Sequence, residues 1–199
     1  NTDVATIISG NIHITGTGTA VITASQAGNG FYNEALSVTA NLTVSKADQS
    51  VTFNALPTKI VGDQDFNPGA TASSGLVVAY SSSNSDVATI VSGQIHIVAA
   101  GTAVITASQP GNSNYNAASA VQQTLTVTKS SQSITFPVIA AVTYGSADIN
   151  PGATASSGLT VTYSSDNAEV ATVAGSLIQI HGAGTAVITA SQAGNANYN

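Results

Sequence analysis

The chain has 199 residues, a net charge of −6 and only 6% charged residues, with no Cys, Met or Trp. Lys46, Lys59 and Lys129 are the only strong bases, which disfavours nucleic acid and anionic membrane surfaces, since both require basic patches. Without cysteine these residues carry no disulfide framework, and no run approaches the ~18 apolar residues of a membrane-spanning helix.

Taken from the start, the first strongly patterned element is Gly-Thr-Ala-Val-Ile-Thr-Ala-Ser-Gln at Gly18–Gln26. It returns unchanged at Gly101–Gln109 and Gly184–Gln192, a constant offset of 83 residues. Asn-Pro-Gly-Ala-Thr-Ala-Ser-Ser-Gly at Asn67–Gly75 returns at Asn150–Gly158 with the same offset. A period of this size marks tandem copies of one small folding unit, each large enough to bury roughly 60–65% of its unfolded surface. Three segments follow. Residues 1–45 are the C-terminal part of a unit, 46–128 a complete unit, and 129–199 a unit lacking its last strand. The chain reads as a window on a longer array; alternatively, a strand from a neighbouring chain completes an incomplete unit.

In the complete unit, seven strands are predicted, near Ser50–Asn54, Gly69–Ala72, Leu76–Ser82, Val87–Val91, Gln94–Val98, Thr102–Gln109 and Ala120–Thr128. Alternation sets Ala103, Ile105 and Ala107 against Thr102, Val104 and Thr106, and no segment carries a helical stripe. Turn signals such as Ser73-Ser74-Gly75 and Ser92-Gly93 separate the strands. Short strands at this spacing predict an all-β, Greek-key sandwich of the immunoglobulin kind. Its expected core is Val51, Phe53, Leu76, Val78, Tyr80, Ile95, Ile97, Ala103, Ile105, Leu125 and Val127. The last strand runs into the next first strand near Lys46 and Lys129 with no flexible linker, so a semi-rigid rod is expected. A nine-residue strand spans ~30 Å, which gives roughly 35–40 Å per unit with its loops.

The runs Ala-Thr-Ala-Ser-Ser-Gly-Leu, Asp-Val-Ala-Thr-Ile-Val-Ser-Gly and Gly-Thr-Ala-Val-Ile-Thr-Ala-Ser-Gln, with Gly-Asn-Ser-Asn-Tyr-Asn after them, resemble bacterial immunoglobulin-like repeats. They are most similar to the arrays in very large surface adhesins of gliding, type IX-secreting bacteria. The resemblance implies extracellular display, with adhesion or filament formation as the usual role and no catalytic residues to carry over. No cofactor is expected, with calcium the one candidate that the acidic residues raise. The partners expected are neighbouring repeats of the same chain, with other copies of the chain in a filament and a glycan or solid surface as further candidates, and neither nucleic acid nor membrane insertion in this segment.

The residues themselves offer few chemical sites. His13 and His96 are expected to face outward singly, and His181 lies in a loop, which makes poor metal ligation. Asp63-Gln64-Asp65 resembles the start of a calcium loop, but Ser146 replaces Asp63 and Ser131 replaces Asp48 in the next copy. These acids, with Asp148 and the series Asp3, Asp86 and Glu169, are therefore read as turn caps or solvated groups. No serine sits in a Gly-x-Ser-x-Gly elbow, so no enzyme is expected. The remaining candidate is the loop Gly111–Asn116, matched at Gly28–Asn33 and Gly194–Asn199. Phe31, Tyr32, Asn114, Tyr115 and Tyr198 there offer aromatic area beside adaptable amides, as in a paratope. Each unit could thus be a weak glycan- or surface-binding module strengthened by multivalency. The competing expectation is that these side chains rest on their own or the adjacent unit.

Overall fold

A computed structural model describes residues 1–199; it is all-β and contains no helix, hence none long and apolar enough to cross a membrane. Residues 1–45 form two antiparallel hairpins, β1 (Ala5–Ile8) with β2 (Asn11–Ile14) and β3 (Gly18–Gln26) with β4 (Ala35–Val44).

Residues 46–128 hold eight strands rather than the expected seven. They are β5 (Val51–Thr52), β6 (Lys59–Ile60), β7 (Thr71–Ala72), β8 (Ala79–Ser82), β9 (Ala88–Val91), β10 (Gln94–Ile97), β11 (Gly101–Ser108) and β12 (Val121–Thr128). The additional strand is β6, whose two residues pair in parallel with Val127 and Thr128. A two-residue strand is too short to display alternation, which is why the sequence pattern conceals it. One sheet runs β6-β12-β11-β8, while β5 pairs with β7 and β9 with β10. The β9–β10 turn is Ser92-Gly93 with φ of 51° and 79°. Positive φ at both positions gives the primed turn that matches strand twist.

Alternation along β11 buries Ala103, Ile105 and Ala107. They join Val51, Phe53, Val87, Ala88, Ile95, Ile97, Leu125 and Val127 in a core contributed by the four-stranded sheet, the β9–β10 hairpin and β5. The small alanines of β11 leave room for two rings, Phe53 and Tyr80, whose centroids lie 5.9 Å apart at 59°. The Tyr80 hydroxyl accepts a hydrogen bond from the Ala70 amide at 2.9 Å, so its polar end is satisfied within the fold. Leu76 departs from the expected core. It is half-buried and lies outside the cluster, because the ladder begins only at Ala79 and residues 76–78 run unpaired.

In residues 129–199 the strands are β13 (Ile134–Thr135), β14 (Thr154–Ala155), β15 (Thr162–Ser165), β16 (Ala171–Ala174), β17 (Leu177–Ile180) and β18 (Ile188–Ser191). Phe136 and Tyr163 repeat the ring pair at 5.9 Å. The counterpart of β11 is shortened here: residues 184–187 belong to no strand, since nothing equivalent to β12 lies beside them.

Candidate functional site

The loop Gly111–Asn116 is built around Asn112, whose side-chain oxygen accepts from the amides of Asn114 (2.8 Å) and Tyr115 (3.0 Å). Its own amide donates to the Tyr115 carbonyl at 3.1 Å. Gly111 has φ of +78°, and a Cβ there would collide with the Tyr115 carbonyl, so the turn requires glycine. Asn29 and Asn195 repeat these bonds in the other two copies. The asparagines therefore satisfy a turn, as Asn does when its side chain caps backbone two or three residues on.

What the loop holds is the segment that joins one repeat to the next. Lys46 donates from Nζ to the Asn112 carbonyl at 2.7 Å. The Ala47 amide donates to the Asn114 carbonyl and the Asn116 amide donates back to the Ala47 carbonyl, each at 2.9 Å. Asn116 Nδ2 donates to Asp48 at 2.8 Å, and Gln49 Nε2 donates to the Asn116 carbonyl at 2.7 Å. Four consecutive residues are thus bonded to one loop. The next copy repeats the arrangement at Lys129–Asn195 (2.6 Å), Ser130–Asn197 (2.9 Å) and Gln132–Asn199 (2.6 Å). Asp48 alone is not reproduced, because Ser131 stands in its place.

Behind the clamp sits Gln109, the one buried polar side chain, 6% exposed. Its Nε2 donates to the Val77 carbonyl at 3.1 Å, while its Oε1 accepts from Gln49 at 3.0 Å and from the Gly111 amide. Gln192 makes the same three bonds to Thr160, Gln132 and Gly194. Sequence reasoning passed over this residue, since a glutamine closing an amphipathic strand reads as surface. Its unchanged return as Gln26, Gln109 and Gln192, together with the matched Gln49 and Gln132, was the available signal.

The same loop touches the preceding repeat. Thr17 Oγ1 donates to the Ser113 carbonyl at 2.7 Å, and the Ala100 amide donates to Asn197 Oδ1 at 3.0 Å. Thr17 and Ala100 are equivalent positions, while Ser113 and Asn197 stand at adjacent positions of the repeated loop, so both junctions bring one turn against one loop. Tyr115 and Tyr198 are half-buried in this arrangement and bridge in parallel to Ala47 and Ser130. Phe31 and Tyr32 differ: they are 93% and 75% exposed, and no segment equivalent to 46–49 lies against their loop. The five aromatic and asparagine candidates therefore fall on three separate loops, not into one pocket.

Several of the acidic residues find partners within their own repeat. Asp65 bonds His96 Nδ1 at 2.7 Å, and the equivalent Asp148 accepts from Gln179 at 3.0 Å, so the change of His to Gln keeps the link between strand and turn. Asp63 accepts from the Ile60 amide at 3.1 Å and lies 3.9 Å from Lys59. His181 Nε2 lies 2.7 Å from the Thr172 hydroxyl. No three His, Asp or Glu side chains converge. Comparison with protein-family models, curated proteins and solved structures finds no match for this chain.

Proposed function

We propose that this chain is a structural repeat region of a bacterial extracellular surface adhesin, made of tandem immunoglobulin-like sandwiches forming a stalk or filament. The observation that carries the reading is the junction. Two successive joining segments are bonded to equivalent loops, and each loop contacts the same turn of the preceding repeat. A connection held this way resists hinge motion, which is what a projecting stalk needs and what a catalytic or ligand-gated module does not. The strand plan supports the sandwich: the first part of the unit divides between two sheets, β5 with β7 and β6 with β12, around a single core.

A multivalent binding role has less support. Tyr115 and Tyr198 are engaged at the clamp, and the exposed Phe31 occupies a position where the other copies carry Asn114 and Asn197. An aromatic patch present once does not supply repeated valency. The test is electron microscopy of a chain of several repeats. Single-file rods with roughly 35–40 Å between unit centres are expected, from the strand rise and loop size. Beads on a flexible string, or a collapsed particle, would exclude the stalk.

A further inference from the structure

We propose that this chain associates side by side with a second copy of itself through the open edge Leu76–Ser82 and through its equivalent, Leu159–Ser165. The inference rests on reading the chain as tandem repeats, and it names the surface by which a filament thickens. It does not depend on the rigidity of a single chain, so the rod test and the one below can fail separately.

The four-stranded sheet of the complete repeat, β6-β12-β11-β8, has two edges, and the sequence treats them differently. At one edge, β6 is only two residues long, Pro57 precedes it, and Lys59 lies on it 3.9 Å from Asp63. A short strand, a proline and a charged side chain are the devices that keep a sheet edge from pairing with another chain. The other edge has none of them. There β8 pairs with β11 from Ala79 to Ser82 without a bulge and has no neighbour on its far side. Leu76–Val78 lead into it with no backbone–backbone hydrogen bond. The run Leu-Val-Val-Ala-Tyr-Ser-Ser holds no charge and no proline, and its Val77 is 88% exposed. This repeat is complete and has a repeat on each side, so the bare edge is a property of the folded unit.

The same edge returns 83 residues on. β15 pairs only with β18, and Leu159–Ser165 reads Leu-Thr-Val-Thr-Tyr-Ser-Ser, again without charge or proline. Beside each edge lies a groove, about 510 Å³ in the complete repeat and 410 Å³ in the next, with no charged residue in its lining. Leu76, Val78 and Tyr80 line the first, and Leu159, Val161 and Tyr163 the second. An open edge of this kind takes up an added strand, with backbone bonds giving affinity and pockets for alternate side chains giving register. Charge and interval identify the occupant. All nine acids and all three lysines lie outside both runs, so two copies of net charge −6 meet there with no like charges opposed in any register. A partner that engages both edges must offer strands at the same interval, which a second copy does. Antiparallel pairing of one edge with itself is two-fold symmetric, so each contact buries the same residues on both copies. Each further edge engaged adds avidity.

The test is sedimentation velocity of the full chain over a range of concentrations, with amide hydrogen exchange at the lowest and the highest. Reversible, concentration-dependent association is expected, with new protection within Leu76–Ser82 and Leu159–Ser165. Val77→Lys combined with Thr160→Lys gives the open edges the kind of charge that Lys59 gives the other. It should raise the concentration for half-association at least about tenfold. Both side chains are exposed and make no hydrogen bond, and unchanged exchange in β11 verifies that the fold is intact. Thr124→Lys combined with Thr126→Lys adds the same charge at exposed positions within the sheet rather than at its edge, and should leave association unchanged. A chain that stays monomeric at every concentration overturns the proposal. So does association that the edge substitutions leave unchanged, that both pairs of substitutions weaken equally, or that brings no protection to the two runs; each of these assigns the contact to another surface.

Discussion

Gln109 uses both ends of its amide inside the fold, and so ties three chain segments together at Val77, Gln49 and Gly111. Replacing it by Ala strands a carbonyl, a side-chain amide and a backbone amide, each costly once water is excluded. Gln109→Ala should destabilise the central repeat by about 2–3 kcal/mol. Gln26→Ala at the equivalent exposed position loses only the bond from Gly28, and should cost less than about 1 kcal/mol. Amide hydrogen exchange of β11 and β3 reads the two repeats separately. Equal losses at both sites would show that the buried network contributes nothing beyond the local turn. Nothing in the local pattern around Gln109 signals this role, because its partners arrive from residues 32 and 60 positions away.

At the scale of elements, equivalent strands meet two environments. Leu125 is completely buried between β11 and β6, whereas Leu42, its equivalent in β4, is half-exposed because no counterpart of β5–β8 covers it. Leu125→Ala should therefore cost about 2–5 kcal/mol, as a cavity in a closed core does. Leu42→Ala should cost roughly 1 kcal/mol, for only part of its area is removed from water. Exchange of the β12 and β4 amides checks both; a large loss at Leu42 would mean that residues 1–45 hold a closed core of their own. Much of this level was legible in advance. The Ala-Ile-Ala face of β11 and the Ser92-Gly93 turn announce themselves through period two and turn chemistry. β6 does not, and neither does the early end of the ladder at Ala79, because both depend on partners distant in sequence. The loop candidates were legible as a motif but not as a clamp, since the pairing of Tyr115 with Ala47 spans most of a repeat.

For the whole molecule, the scarcity of charge leaves the junctions to neutral hydrogen bonds, two lysines and the carboxylate of Asp48. Lys46 and Lys129 each serve an equivalent loop carbonyl, which accounts for two of the three bases in the chain. The ends of the complete repeat also share a geometry: Ala47 lies parallel to Tyr115, and Lys59–Ile60 lie parallel to Val127–Thr128. Between parallel neighbours, tension drawn from opposite ends slides one strand along the other, loading the bonds together instead of opening them singly like a zip. Constant-velocity pulling should accordingly show the central repeat yielding in one abrupt event, at a higher force than residues 1–45, whose hairpins peel bond by bond. A gradual extension of residues 46–128 at the force that opens residues 1–45 would refute this. Tension along the chain would then be carried lengthwise, and its limit in the central repeat would be set by two short parallel seams, Ala47 with Tyr115 and Lys59–Ile60 with Val127–Thr128.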